Sequence, residues 1–495
     1  MTDPTTTAPA GVGLRSERGP ILLALMVSTG LIAIDATILA TAVPSVVKDL
    51  GDFSLFPWLF SVYLLAQAVS VPVYAKLADT FGRKPLMLLG IGLFLLGSLL
   101  CGVAWSMPAL IAFRVVQGLG AGAVQPMAIT IAGDIYTVEE RAKAQGYIAS
   151  VWAVSSVVGP TLGGVFAQLG IWRWIFLVNV PLCLVAGALI WRSFSESIER
   201  RSHRVDYAGA TLLTVGLSLV ILGVLEGGQA WAWGSPLGIG VFVAGVALLA
   251  GFVAVERRAA EPVLPLHLLT RRLLLTTSLL SLGVGAILIG LTSFVPTYLE
   301  NSLGVSPLVG GLAVAALTLG WPVAATLSGR LFYLRYGFRP TVLVGMGLTL
   351  LGTLGLAATG QRPSVAVVAV TCFVTGLGLG LVATPSLIAA QASVDWAERG
   401  VVTGLNMFSR SIGSAVGAAI FGAVANHVVS ASRRPETDPA TATSSGSAVF
   451  WAVLVATVLS VAAGIAMPQV RADDGVGART GDGPDDDVDA QAAAA

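Results

Sequence analysis

Charge is what this 495-residue chain has least of. Only 11% of its residues are Asp, Glu, Lys or Arg, where a soluble protein of this size carries roughly a quarter. With 55% hydrophobic residues and a mean hydropathy of +0.84, most of the surface must be solvated by lipid rather than water. Cysteine is nearly absent. Cys101, Cys183 and Cys372 fall one by one in apolar stretches, where a thiol is a small apolar group, so no disulfide and no metal site is expected. His203, His267 and His427 are too scattered for a ligand cluster. The chain has no G-x-x-x-x-G-K-[ST] run to hold a nucleotide phosphate and no G-x-S-x-G nucleophile turn. ATP-driven pumping and hydrolase chemistry therefore have no carrier, and neither an enzyme nor a cofactor is expected. Lysine is confined to Lys48, Lys76, Lys84 and Lys143 against many arginines, a usage that points to a GC-rich bacterial genome.

What the chain does have is long apolar runs. Fourteen recur, near 20–43, 57–78, 86–104, 108–131, 144–166, 174–193, 207–225, 237–255, 273–297, 308–328, 341–359, 365–388, 402–425 and 447–468. Each has about the length that crosses a hydrocarbon core of about 30 Å as helix. No cleavable signal peptide is evident in the Thr/Pro/Gly-rich residues before the first run. With both termini cytoplasmic, the basic residues outside spans fall on the cytoplasmic side except Lys48, Arg173, Arg362, Arg433 and Arg434, and the positive-inside rule fixes that orientation. The expected location is the bacterial inner membrane. The tail after Arg471, rich in Asp, Gly and Ala, is expected to be disordered.

An internal repeat appears at a shift of 258 residues. Gly118, Gly120 and Gly122 fall on Gly376, Gly378 and Gly380; Glu140 and Arg141 on Glu398 and Arg399; Gly146, Ser155, Gly159 and Gly164 on Gly404, Gly413, Gly417 and Gly422. The repeated glycines read as architectural, letting helices approach closely. Arg114, Pro160 and Asp35 fall instead on Cys372, Ala418 and Ser293, so ionic chemistry belongs to the N-terminal half.

The connection Ala75–Leu86, AKLADTFGRKPL, resembles the loop between the second and third spans of the major facilitator superfamily, with Ala75 where that family has Gly. Ile34-Asp35-Ala36-Thr37 resembles the L-D-x-T motif of its fourteen-span branch, the drug:proton antiporters. LIAFRVVQGLGAG, carrying Arg114, Gln117, Gly118 and Gly120, resembles the superfamily's fourth-span motif. Gly146, Gly159-Pro160 and Gly163-Gly164 resemble the fifth-span antiporter motif, with Ser155 in place of a Gly, and Trp172–Phe176 with Asn179 and Pro181 resembles the start of the branch's sixth span. The resemblance implies an all-α membrane protein of fourteen transmembrane helices. Its parts are a disordered cytoplasmic tail (1–19), a six-helix bundle (20–193), linkers with two inserted helices (194–272), a second six-helix bundle (273–468) and an acidic disordered tail (469–495).

A carboxylate in hydrocarbon costs about 2.5 to 3.5 kcal/mol, so Asp35 needs a wet cavity, a partner or a proton. Counted from the outer ends of their spans, Asp35 and Arg114 lie at depths of roughly 12 and 9 Å and can meet. The guanidinium favours the ionised carboxyl and burial disfavours it, an opposition that lets proton affinity change with conformation. Asp35 and Arg114 are thus the expected proton-coupling residues. Asp79, Gly82 and Arg83 are the expected gate, and Gly159, Pro160, Gly163 and Gly164 the expected conformational coupler. Trp58, Gln117, Trp152, Asn179, Asn406 and Arg410 are candidates to line a substrate cavity, and positive-inside anchoring already accounts for the loop's basic residues without Asp79. The expected function is a proton-coupled exporter of amphipathic, often cationic drugs or toxic compounds by alternating access, of the kind that confers antibiotic resistance. Export of an endogenous metabolite, antibiotic or lipid stays open, as does a non-transporting receptor on a transporter fold. The expected partners are a small-molecule substrate, protons and the lipid bilayer, without nucleic acid, and the expected working unit is a monomer.

Overall fold

A computed structural model describes residues 12–51, 55, 58–196, 206–227, 231–232, 234–259, 266–432 and 438–470. The acidic tail from residue 471 on lies outside the described residues. The regular elements among the described residues are all helices, which satisfy their own peptide groups where no water can. The long helices are α1 (Gly19–Leu50), α2 (Trp58–Phe81), α3 (Arg83–Gly102), α4 (Met107–Ile135), α5 (Val138–Gln168), α6 (Asn179–Ser193), α7 (Tyr207–Glu226), α8 (Pro236–Glu256), α9 (Arg272–Leu303), α10 (Pro307–Ser328), α11 (Phe338–Thr359), α12 (Val365–Ala392), α13 (Arg399–Ser432) and α14 (Pro439–Ala466). Among the described residues, thirteen spans are long and apolar enough to cross a bilayer, α6 counting with the short helix Trp174–Leu177 before it; α7 carries the shorter apolar stretch Ala208–Gly223.

Several helices outrun the apolar segments that announce them. α5 begins at Val138 rather than near 144, because Thr137-Val138-Glu139-Glu140 caps it: the Glu140 carboxylate accepts the Thr137 N–H at 3.2 Å. One turn of π-helix, Gly329–Tyr333, follows α10, a widened turn of the sort found at functional sites.

Helices α1, α3, α4 and α6 share one core, which includes Leu25, Ile32, Ile91, Phe94, Val124, Ile131 and Ala186. Helices α9, α10, α11, α12 and α14 share another, which includes Val284, Leu317, Met346, Leu379 and Val453. α5 packs along α10 and α2 along α13, joining the two groups. Leu213, Leu217 and Ile221 of α7 lie against Ala68 and Val69 of α2 and Val401, Val402 and Leu405 of α13, so α7 covers that second seam, while α8 faces mostly outward.

The repeat recurs as geometry. A Cβ on Gly118 would stand 2.6 Å from the Tyr63 carbonyl oxygen of α2, and one on Gly376 would collide with the Leu317 carbonyl of α10; Gly120 and Gly378 press in the same way on the backbone of α3 and α11 at Phe94 and Thr349. Gly164 and Gly422, by contrast, have open space around them. A backbone carbonyl cannot rotate aside, so Gly376→Val is expected to cost about 3 kcal/mol or more, at or above the top of the overpacking range. Gly164→Ala is expected to be neutral. Thermal unfolding in detergent, followed by size-exclusion chromatography, checks both.

Candidate functional site

Asp35 and Arg114 are brought together. The Arg114 Nη1 lies 2.7 Å from Asp35 Oδ2, and each side chain is 1% exposed. A buried ion pair needs its remaining polar atoms satisfied, or desolvation outweighs the attraction. Here the same Nη1 also donates to Gln117 Oε1 at 2.7 Å, and Nε donates to the Leu59 carbonyl at 3.1 Å. Asp35 Oδ1 accepts from Gln117 Nε2 at 2.9 Å and Asn179 Nδ2 at 3.2 Å. Ser98 Oγ accepts from the same two amides at 2.9 and 3.4 Å. The Tyr63 ring lies 4.1 Å from the guanidinium carbon. Asp35 therefore accepts three N–H groups from α4 and α6, an arrangement made for a carboxylate and disrupted when a proton occupies an acceptor.

Gln117 and Asn179, expected to line a cavity, are fully buried members of this network. Ser98 and Tyr63 were not foreseen; their only signal is a hydroxyl within an apolar run. Trp58 and Trp152 are half-buried. Asn406 joins α13 to α9, accepting from Ser281 Oγ at 2.7 Å and donating to the Thr277 carbonyl at 3.4 Å. Arg410 lies apart from the Asp35 network, partly exposed.

Two residues beyond Asp35, α1 itself bonds to α5. Thr37 Oγ1 donates to the Ser155 carbonyl at 3.0 Å, and Gly159 is so close that a Cβ there would collide with Thr37 Oγ1. α5 runs through Pro160, whose side chain lies outside the described set, and Gly163 is buried. From α5, Ser156 meets Thr318 of α10 at 3.5 Å, and Gly146 abuts Thr326.

A second constellation sits at the end of the bundle that carries the α2–α3 turn. Gly82, at φ 99°, makes that turn in a conformation that favours glycine. The side chain of Asp79 lies outside the described residues. Arg83 is fully buried: Nε reaches Asp134 Oδ2 at 3.2 Å and Glu196 Oε1 at 3.8 Å, Nη2 donates to the Trp396 carbonyl at 2.8 Å, and the guanidinium lies 3.7 Å from the Trp396 ring. Glu196 Oε2 also accepts the Arg83 N–H at 2.8 Å. Arg399 approaches Asp134 Oδ1 at 3.2 Å. Asp134 thus stands between a cation from α3 and one from α13. Sequence reading missed Asp134, although it is an acid at the end of an apolar span.

Across the other seam, Tyr333 of the π turn donates its hydroxyl to the Val138 carbonyl and stacks on Phe338 at 4.8 Å. Val138 and Trp396 are 258 residues apart, so both latches close on the same position of the repeat. The two groups of helices are therefore tied at this end. At the opposite end Asp49 accepts from Trp172 Nε1 at 3.0 Å and from Arg173 at 2.7 Å, and these two hydrogen bonds hold its carboxyl below the usual carboxylate range.

The model of the family described as Major Facilitator Superfamily matches residues 25–418. The chain is 33% identical over 414 residues to "Multidrug transporter protein MdtP" of Bacillus subtilis, covering 84% of this chain and 76% of that protein. It is 34% identical over 410 residues to "Multidrug resistance protein 3" of the same organism, covering 82% and 80%. In fold it is similar to the proton:xylose symporter XylE bound to 6-bromo-6-deoxy-D-glucose, with a TM-score of 0.63 at 13% identity over 92% of this chain and 96% of that one. The chain belongs to the Major Facilitator Superfamily, a non-enzymatic transporter of small molecules in a membrane.

Proposed function

We propose that the protein is a proton-coupled exporter of amphipathic compounds. It works as a monomer of fourteen spans, two six-helix bundles with α7 and α8 inserted between them, in the bacterial inner membrane with both termini cytoplasmic. The observation that carries this reading is the buried Asp35–Arg114 pair, with both oxygens of the carboxylate accepting N–H donors. The names of the two Bacillus relatives support drug efflux.

On this reading a proton entering from outside lands on Asp35 and cancels its charge, which weakens its hold on Arg114, Gln117 and Asn179. α1 then shifts against α4, and Thr37 passes the shift to α5 and so to α10 across the bundle interface. The Arg83 and Tyr333 latches hold the cytoplasmic side closed and must release for substrate to enter from within, as two-state alternation requires. Purified protein in liposomes under an imposed pH gradient tests the reading. Substrate-dependent proton flux is expected for at least one member of a panel of drugs and dyes; its absence across the panel, with folded protein, favours a receptor instead.

A further inference from the structure

One charge at mid-depth takes no part in the Asp35 network. Arg410 is eleven residues beyond Arg399, the first residue of α13, roughly 16 Å along the axis at 1.5 Å per residue and so near the centre of a core about 30 Å thick. Its side chain is partly exposed and, among the described residues, has no hydrogen bond, ion pair or ring contact. A guanidinium does not shed its proton, so inside a membrane it must meet water or an anion.

Its surroundings identify the anion's site. One turn before it, Met407 closes with Val71 of α2, Ile129 of α4 and Leu387 of α12 into an apolar plug, each at most 9% exposed. α2 and α4 run antiparallel to α13: Gly404 abuts Ala75 where Met407 meets Val71, and Arg399 meets Asp134 where Met407 meets Ile129. One turn back from Val71 is Gln67, and one turn back from Ile129 is Gln125, which brings both to the level of Arg410. They are partly exposed, and Gln67 Nε2 donates to Gln125 Oε1 at 2.9 Å. Above the plug, three helices thus present one cation and two carboxamides.

We infer that Arg410, flanked by Gln67 and Gln125, binds the carboxylate of the exported compound, which makes the substrate class amphipathic organic anions. The inference rests on the exporter reading and specifies its substrate. A planar guanidinium offers a carboxylate two parallel N–H donors, and a carboxamide supplies a further one. A cationic substrate, by contrast, meets a like charge with no carboxylate paired to it among the described residues. The coupling follows. One proton entering for one monoanion leaving moves two charges in the same sense, so 60 mV changes the accumulation ratio about a hundredfold, whereas proton exchange for a monovalent cation is indifferent to voltage.

Two probes with one ring system decide it: pyrenebutyrate, and the same pyrene chain ending in trimethylammonium. Binding to the full chain in detergent is read by pyrene fluorescence, and flux separately in liposomes. The wild type is expected to bind the carboxylate more tightly than the ammonium. Arg410→Gln should weaken carboxylate binding about ten- to a hundredfold, as for loss of hydrogen bonds to a charged group, and leave ammonium binding unchanged or tighter. Arg410→Lys, which keeps the charge and loses the fork, should fall between, and serves if the Gln variant does not fold. Equal wild-type affinity for the two probes, or carboxylate affinity within twofold of wild type in Arg410→Gln, overturns the proposal. Intact carboxylate binding without proton-coupled flux sinks the exporter reading and leaves the site standing.

Discussion

Asp35→Asn in energised liposomes is expected to abolish proton-driven accumulation while substrate still binds. One proton crossing about 100 mV and one pH unit releases roughly 2.3 plus 1.4 kcal/mol, enough to hold a neutral substrate at several hundredfold. Without a carboxylate to carry the proton, that ratio should fall to equilibration. Asn is close in shape and keeps an acceptor for Gln117 or Asn179, but it leaves the Arg114 guanidinium, 1% exposed, without its counter-charge. Breaking one side of a buried pair costs about 3 to 5 kcal/mol, so lost transport could reflect lost folding. The double variant Asp35→Asn with Arg114→Gln removes both charges and separates the two effects. It is expected to recover thermal stability and not coupling. Accumulation at the wild-type level in either variant would remove Asp35 from the mechanism.

Arg83→Ala is expected to open the end of the bundle that the structure shows closed. The guanidinium is fully buried between Asp134, Glu196 and the Trp396 carbonyl and ring, and deleting it leaves Asp134 with Arg399 alone among these cations. Taking the same 3 to 5 kcal/mol for an uncompensated buried charge, the closed state should lose two to three or more powers of ten relative to the open one. Tyr333→Phe deletes one neutral hydrogen bond to the Val138 carbonyl, worth about 1 kcal/mol, or roughly fivefold. A cysteine at Ala75, buried against Gly404 of α13, reports the opening by its rate of thiol labelling once Cys101, Cys183 and Cys372 are replaced. Labelling should rise steeply in Arg83→Ala and slightly in Tyr333→Phe. Equal rates in all three proteins would deny the latch.

The Asp35–Arg114 pair was legible because both charges interrupt apolar runs, and depth along a helix is simple arithmetic; expected depths of roughly 12 and 9 Å agree within a turn with a contact. The start of α5 was also written in the chain, as the Thr137–Glu140 capping box, but hydropathy alone passes over polar cap residues. Arg83 was legible as a gate residue from the motif around it, but the partners it latches to were not. Its partners lie 51, 113 and 313 residues away at Asp134, Glu196 and Trp396; the packing of α3 on α4 and α6 brings up the first two, and the packing of the two helix groups on each other brings up the third. Gln117 and Asn179 show a different limit: an intramembrane amide suits a cavity wall and an ion-pair shell equally well until its neighbours are known.

Both latches end on main-chain oxygens, those of Val138 and Trp396, at one shared position of the repeat. Every residue type carries that oxygen, so the hydrogen bond that each closure makes survives a change of side chain at the receiving position, and an aliphatic side chain in one half coexists with an indole in the other, whose ring adds a face for the Arg83 guanidinium. Selective pressure then falls on the donors, the Arg83 guanidinium and the Tyr333 phenol, and on the turns that aim them. A duplicated gene could in this way let its copies drift apart in chemistry while both kept a working fastener.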